Sequence, residues 1–147
     1  MANEQIMRWG PCNQAHATAA AAITPGDLLE VIATAGADNG KVQRHATASG
    51  RAAPLFADGN WQFGKGQDDA YAAGDTVPTL APSVGARILA RCASGTAITV
   101  GTPLESAGNG LLRAVVTTGI IIAEAIEAEL ATGDPSPGRI LVRIVAQ

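Results

Sequence analysis

Cysteine, histidine, charge and long apolar runs are all scarce in this sequence, and each scarcity narrows what the chain can do. There are two cysteines, Cys12 and Cys92. They lie far apart and in no metal-ligand spacing, so no disulfide framework is expected, and both thiols should be reduced, as a cytoplasmic site of synthesis leaves them. The two histidines, His16 and His45, fall in no catalytic motif. Nucleophilic catalysis needs a Ser or Cys held against a base and an orienting group. A small hydrolase would therefore require His16 or His45 to meet a Ser, a Cys or a carboxylate in space, and no catalytic residue is assigned.

Charged residues make up 16% of the chain, with a net charge of -3, against about 25% in an ordinary soluble domain. Much of the surface is expected to face protein rather than water. The ten Lys and Arg are scattered from Arg8 to Arg143 without the basic cluster that phosphate contacts need, so nucleic acid is not an expected partner. The longest apolar tract, residues 114–126, is broken by Thr117, Thr118 and Glu124 and falls short of the ~20 residues of a membrane helix. No membrane partner is expected. Ala15-His16-Ala17 mimics a signal-peptidase site, but no apolar segment precedes it, so export by that route is not expected either.

Acidic and glycine-rich clusters add no chemistry. Asp68 and Asp69 would point to opposite faces if extended, and Glu124, Glu127 and Glu129 read as solvated turn or edge charges, which block stray strand pairing. Gly64-Lys65-Gly66 and residues 106–110 lack the Lys-Ser/Thr ending and long helix of a phosphate cradle. They read as turns. No cofactor and no metal is expected.

What the sequence does have is short apolar strands punctuated by glycine, in a chain of 147 residues that suits one domain. The organising stretch is the last third. Ile140, Val142 and Ile144 alternate with Arg139, Leu141 and Arg143, the period of a strand with one buried face. Residues 120–131 before it can be a strand, on the β-branched run 120–122, or a helix, on the spacing of Ile122, Ile126 and Leu130 and the Ala/Glu content. Upstream, Thr24-Pro25-Gly26-Asp27 is a turn leading into a strand at residues 28–33. Asp38-Asn39-Gly40 is a tight turn with its return strand at 41–47. Ile88, Ala90 and Cys92 alternate with Arg87, Leu89 and Arg91, and Asn109-Gly110 precedes a further strand at 111–116. The expected fold is all-β: a small barrel-like domain with glycine-rich turns.

Two segments stand apart. Residues 1–22 show no sustained apolar period and read as an extended N-terminal arm ahead of a domain at 23–147, or as an arm containing a short Ala-rich helix at 16–22. Ile6, Met7 and Trp9 are its apolar side chains without an evident local partner. Residues 51–66 carry Phe56, Trp61 and Phe63, three of the five aromatics, in a loop-rich insert that either caps the barrel or meets a partner.

The turn-and-strand units around Gly26, Gly74 and Gly101, together with the ending in which Gly119 leads Ile120, Ile121, Ile122, Ala123, Glu124 and Ala125 and glycine turns then lead residues 139–145, resemble the capsid decoration, or cement, proteins of tailed bacteriophages. The likeness spans residues 23–145. It departs from that family in the longer connection at 129–138 and in the aromatic insert. The resemblance implies a β-barrel or β-tulip domain with an N-terminal arm, seated at local three-fold or two-fold positions on the outside of an icosahedral head and catalysing nothing. The expected function is that of a virion structural protein clamping neighbouring capsomers. Its expected partners are the major capsid protein and copies of itself, a trimer in preference to a dimer, with Ile6, Met7, Trp9, Phe56, Trp61 and Phe63 as contact residues. The alternative is a barrel-type binding module that recognises glycan or peptide through Phe56, Trp61, Phe63 and Tyr71.

Overall fold

Glycine turns deliver the β-branched runs to the core as strands. In a computed structural model of the chain, residues 6–93, 98–116, 119–128 and 138–145 are described, without the side chains of Arg8 and Trp61. The strands in chain order are β1 (Met7–Trp9), β2 (Cys12–Thr18), β3 (Leu29–Val31), β4 (Val42–Arg44), β5 (Phe56–Ala57), β6 (Thr76–Pro82), β7 (Arg87–Cys92), β8 (Pro103–Gly108), β9 (Leu111–Ala114), β10 (Ala123–Ala125) and β11 (Gly138–Ile144), with one 3-10 turn at Trp61–Phe63. The architecture is all-β, as the sequence leads one to expect.

The largest sheet has six strands in the order β1-β7-β11-β10-β8-β9. It curls until β9 meets β7 again through one parallel pairing, Cys92 with Leu112. Its centre is the antiparallel ladder of β7 and β11, which sets Val142 opposite Ile88 and Ile140 opposite Ala90. All four side chains are buried, with Ile144 and Cys92 on the same face. Full burial of each Ile or Val contributes about 1.5–3 kcal/mol, so this alternating face carries much of the cohesion. The hairpin from β8 to β9 turns at Asn109 and Gly110, both at positive φ (52° and 75°), which is the pairing that Asn-Gly supplies with least strain.

A second sheet orders β2-β6-β5, and a third pairs β3 with β4. Strand β6 contains Pro78 and Pro82, unusual in a central strand because proline cannot donate to the ladder. Asp58 donates its N–H to the Pro78 carbonyl, so the even residues of β6 face β5. That neighbour is only two residues long, and both prolines lie beyond its ends. The odd residues, which keep their N–H groups, face the seven-residue β2.

Residues 6–22 depart from the expected arm. Met7 and Trp9 pair with Ile88 and Arg87, and β2 pairs with β6 along its whole length. Ile6 is fully buried in the main core. The expected helix at 16–22 does not form, because the ladder to β6 satisfies the backbone at 12–18 instead. Strand β2 is exposed at five of its seven positions, which is why its sequence shows no apolar period. The ambiguity at 120–131 resolves at residues 123–125, which pair with both β8 and β11 and form a strand. Residues 129–131 lie outside the described residues.

Candidate functional site

Among the described residues Asp27, Glu105 and the pair His45 and Ser106 are buried, and each is held in a hydrogen-bond network of structural geometry. Asp27 closes the turn begun at Thr24, its N–H bonding the Thr24 carbonyl at 3.0 Å. Gly26 takes φ 92° there, and a Cβ on it would stand 3.1 Å from the Leu89 carbonyl, so only glycine fits without a shift. The Asp27 carboxylate accepts from Arg91 Nη1 at 2.7 Å, from Arg44 Nε at 2.8 Å and from the Thr24 N–H at 2.7 Å. Glu105 accepts from Arg113 Nε and from Ser49 Oγ, both at 2.9 Å and both on Oε1.

His45 does meet a serine, the condition a hydrolase would require. Its Nδ1 lies 2.7 Å from Ser106 Oγ and its Nε2 lies 3.1 Å from the Arg51 carbonyl. A carbonyl can only accept, so Nε2 donates to Arg51, and the network closes with Nδ1 accepting the Ser106 hydroxyl while Gly108 N–H donates to Ser106 Oγ. Both residues are buried, so no substrate reaches the hydroxyl in this arrangement. His16 stands on β2, opposite Pro78, and is exposed. Among the described residues no group of three or more His, Cys, Asp or Glu is gathered as for a metal ion. Asp69 caps the Gly66 N–H and Asp68 bonds Arg139, the roles of turn charges.

The aromatic insert divides. Phe56 is fully buried, pairing with Leu80 and bridging to Leu28, which is the capping role. Phe63 is 78% exposed. It is held outward by a tight loop in which the N–H groups of Phe63 and Lys65 both bond the Asn60 carbonyl. The backbone of Trp61 belongs to the same loop, and its side chain lies outside the described residues. Beneath Phe63 opens a pocket of about 390 Å³ between β2, this loop and the start of β6.

Tyr71 forms part of the pocket wall. It is fixed by paired backbone bonds with Ile23 and by its hydroxyl, which donates to the Asp58 carbonyl at 2.7 Å. Burial, reinforced by the charges of Asp58, Asp69 and Asp75, pushes its phenol up to about 12. The Lys65 ammonium stands 5.6 Å from the centre of its ring, a cation–π contact. Sequence reasoning singled out Phe63 and Tyr71 but not the polar rim, because residues so far apart in the chain are brought together only by the β2–β6 ladder and the loop.

The three N-terminal residues also divide. Ile6 is core, and its backbone N–H helps hold the Asp58 carboxylate, whose pKa burial nonetheless raises. Met7 is half-buried against the core. Trp9 is 65% exposed on the edge strand β1, with the Arg87 guanidinium 5.6 Å from its ring. The turn after β6, where the Ser83 N–H bonds the Pro11 carbonyl, carries exposed Val84.

No family model matches the chain, and no curated protein matches it either. Among solved structures, the fold is similar to the N base of head fiber gp8.5 of bacteriophage phi29, with a TM-score of 0.59 over 91% of this chain and 94% of that one, at 13% identity.

Proposed function

We propose that this chain is a non-enzymatic structural protein of a phage particle, which decorates the outer surface of the head and clamps neighbouring capsomers. The observation that carries this reading is the likeness of fold to a phage head-fiber base, which extends over nearly the full length of both chains. Trp9 supports it. An indole 65% exposed on an edge strand, with the Arg87 guanidinium against its ring, is the kind of side chain that anchors protein interfaces. The major capsid protein is its partner, and oligomerisation, as a trimer in preference to a dimer, multiplies the contacts. Each copy needs to bury roughly 1,000–2,000 Å² for stable retention.

The test adds purified protein to expanded, undecorated heads and to unexpanded shells. Expansion changes subunit spacing, and a multi-point clamp matches only one spacing. Saturable, stoichiometric uptake by expanded heads alone is expected, with Trp9→Ala weakening retention while its melting temperature stays unchanged. Equal uptake by both shells, or none by either, would sink the reading.

A further inference from the structure

The pocket beneath Phe63 has a composition that a structural contact does not require. We propose that it is a binding site for a neutral saccharide. At about 390 Å³ it falls within the ~300–1,000 Å³ of small-molecule sites. Among its lining residues the exposed aromatic ring is Phe63, with the buried Tyr71 behind it in the wall, and no Leu, Ile, Val or Met takes part. A ring as exposed as Phe63 offers a flat, electron-rich face to the axial C–H groups of a pyranose. Backbone bonds from Phe63 and Lys65 to the Asn60 carbonyl fix the loop that carries the ring.

The rest of the lining is polar and suits hydroxyl groups. Asn60 and Gln62 each carry two amide donors and an acceptor, and Thr76 a hydroxyl that does both. None of these side chains, nor that of His16, makes a hydrogen bond within the described residues, so their capacity is left for a ligand. Thr76 is opposite Thr18 in the β2–β6 ladder and His16 is opposite Pro78, which puts His16 and Thr76 on one sheet face. Lys65, bonded to the Ala70 carbonyl, and Asp75, accepting from the Ala72 N–H, are already engaged.

Charge decides among ligands. One ammonium and one carboxylate cancel, so the pocket has no net attraction for phosphate, uronate or sialate. A peptide would want aliphatic recesses for alternate side chains, and the lining supplies none. A stacked ring edged by neutral donors and acceptors is the chemistry of an uncharged sugar. The proposal rests on the pocket alone and stands or falls separately from the capsid reading.

The experiment is saturation-transfer NMR and calorimetric titration of the full chain with malto-, cello- and chito-oligosaccharides, with sialyllactose and a tetra-alanine peptide as comparators. At least one neutral oligosaccharide is expected to bind saturably. Phe63→Ala should weaken it about tenfold, the value of one lost stacking contact, and leave the melting temperature unchanged because the ring is exposed. Gln62→Ala, whose amide supports nothing in the fold, gives the same reading should Phe63→Ala disturb folding. Trp9→Ala, outside the pocket, should bind as well as the parent. No binding by any neutral oligosaccharide would overturn the proposal. So would binding indifferent to both pocket variants, or a pocket that takes only sialyllactose or the peptide.

Discussion

Asp27 and Glu105 are both fully buried carboxylates, yet their surroundings differ. Both oxygens of Asp27 are used, by two guanidinium groups and a backbone N–H. Glu105 spends Oε1 on Arg113 and Ser49, while its Oε2 is buried without a hydrogen-bond partner among the described residues. The partners differ in reach as well. Arg44 stands on β4 and Arg91 on β7, and Arg139 of β11 bonds the carbonyl of Pro25 in the same turn, so the Asp27 turn ties together strands of two sheets. Arg113 stands directly opposite Glu105 in the β8–β9 hairpin, a local clip of the kind cross-strand pairs make. Burial of a charge is tolerated at Asp27 because both oxygens are hydrogen-bonded and two guanidinium groups balance the charge; at Glu105 the same burial leaves one of the two oxygens unanswered among the described residues.

The sharpest way to break that comparison is Asp27→Ala. It leaves the Arg91 guanidinium, only 14% exposed, without its counter-charge, and frees the Thr24 N–H. A loss of about 3–5 kcal/mol is expected, a large part of the ~5–15 kcal/mol that holds an ordinary domain. Urea denaturation measures it. A loss under about 1 kcal/mol would show that the arginines find water or other acceptors, and that Asp27 is no tie.

Gly119→Ala comes next. A Cβ at Gly119 would lie 1.2 Å from Glu105 Oε2 and 2.5 Å from Cδ, and the carboxylate cannot swing away without leaving Arg113 and Ser49. The cost should be about 1–3 kcal/mol, as for other overpacked sites. In a Glu105→Ala background the same change should cost almost nothing, so a double-mutant cycle reads the clash directly. Additive losses would mean that the methyl group strains something other than Glu105.

Both carboxylates show what sequence reasoning can and cannot reach. The turn at Thr24 to Asp27, the alternation in β7 and β11 and the Asn109-Gly110 hairpin were legible because each is written in adjacent residues: a φ only glycine takes, or a period of two. Strand β2 was not. It is exposed on both faces and exists through seven long-range pairings with β6, so it looked like a free arm. Phe56 and Phe63 carry the same side chain, seven residues apart, yet one is core and the other faces solvent, because a short strand holds the first and a turn ejects the second. Glu105 could not be read as buried from sequence, because Arg113 and Ser49 are brought beside it only by folding. The pocket is the extreme case, since its aromatics were visible in sequence and its polar rim was assembled only by folding.

The smallest expected effect belongs to Glu105→Gln, and it decides whether the orphaned oxygen matters. The amide keeps an oxygen for Arg113 and Ser49, so both hydrogen bonds survive, although without the charge that strengthens them. Arg113 is 29% exposed and can rehydrate, so its counter-charge is less needed than Asp27 is by Arg91. Against the weakened bonds stands relief from holding an ionised carboxylate, one oxygen unpaired, away from water. The two terms oppose each other, and the net change should stay within about 1 kcal/mol. Measured in urea beside Asp27→Ala and beside Asp27→Asn, its polar analogue, the substitution should be the mildest of the three. If instead Glu105→Gln destabilises as much as Asp27→Asn, the Oε2 oxygen is not idle, and the two buried acids hold the fold on equal terms.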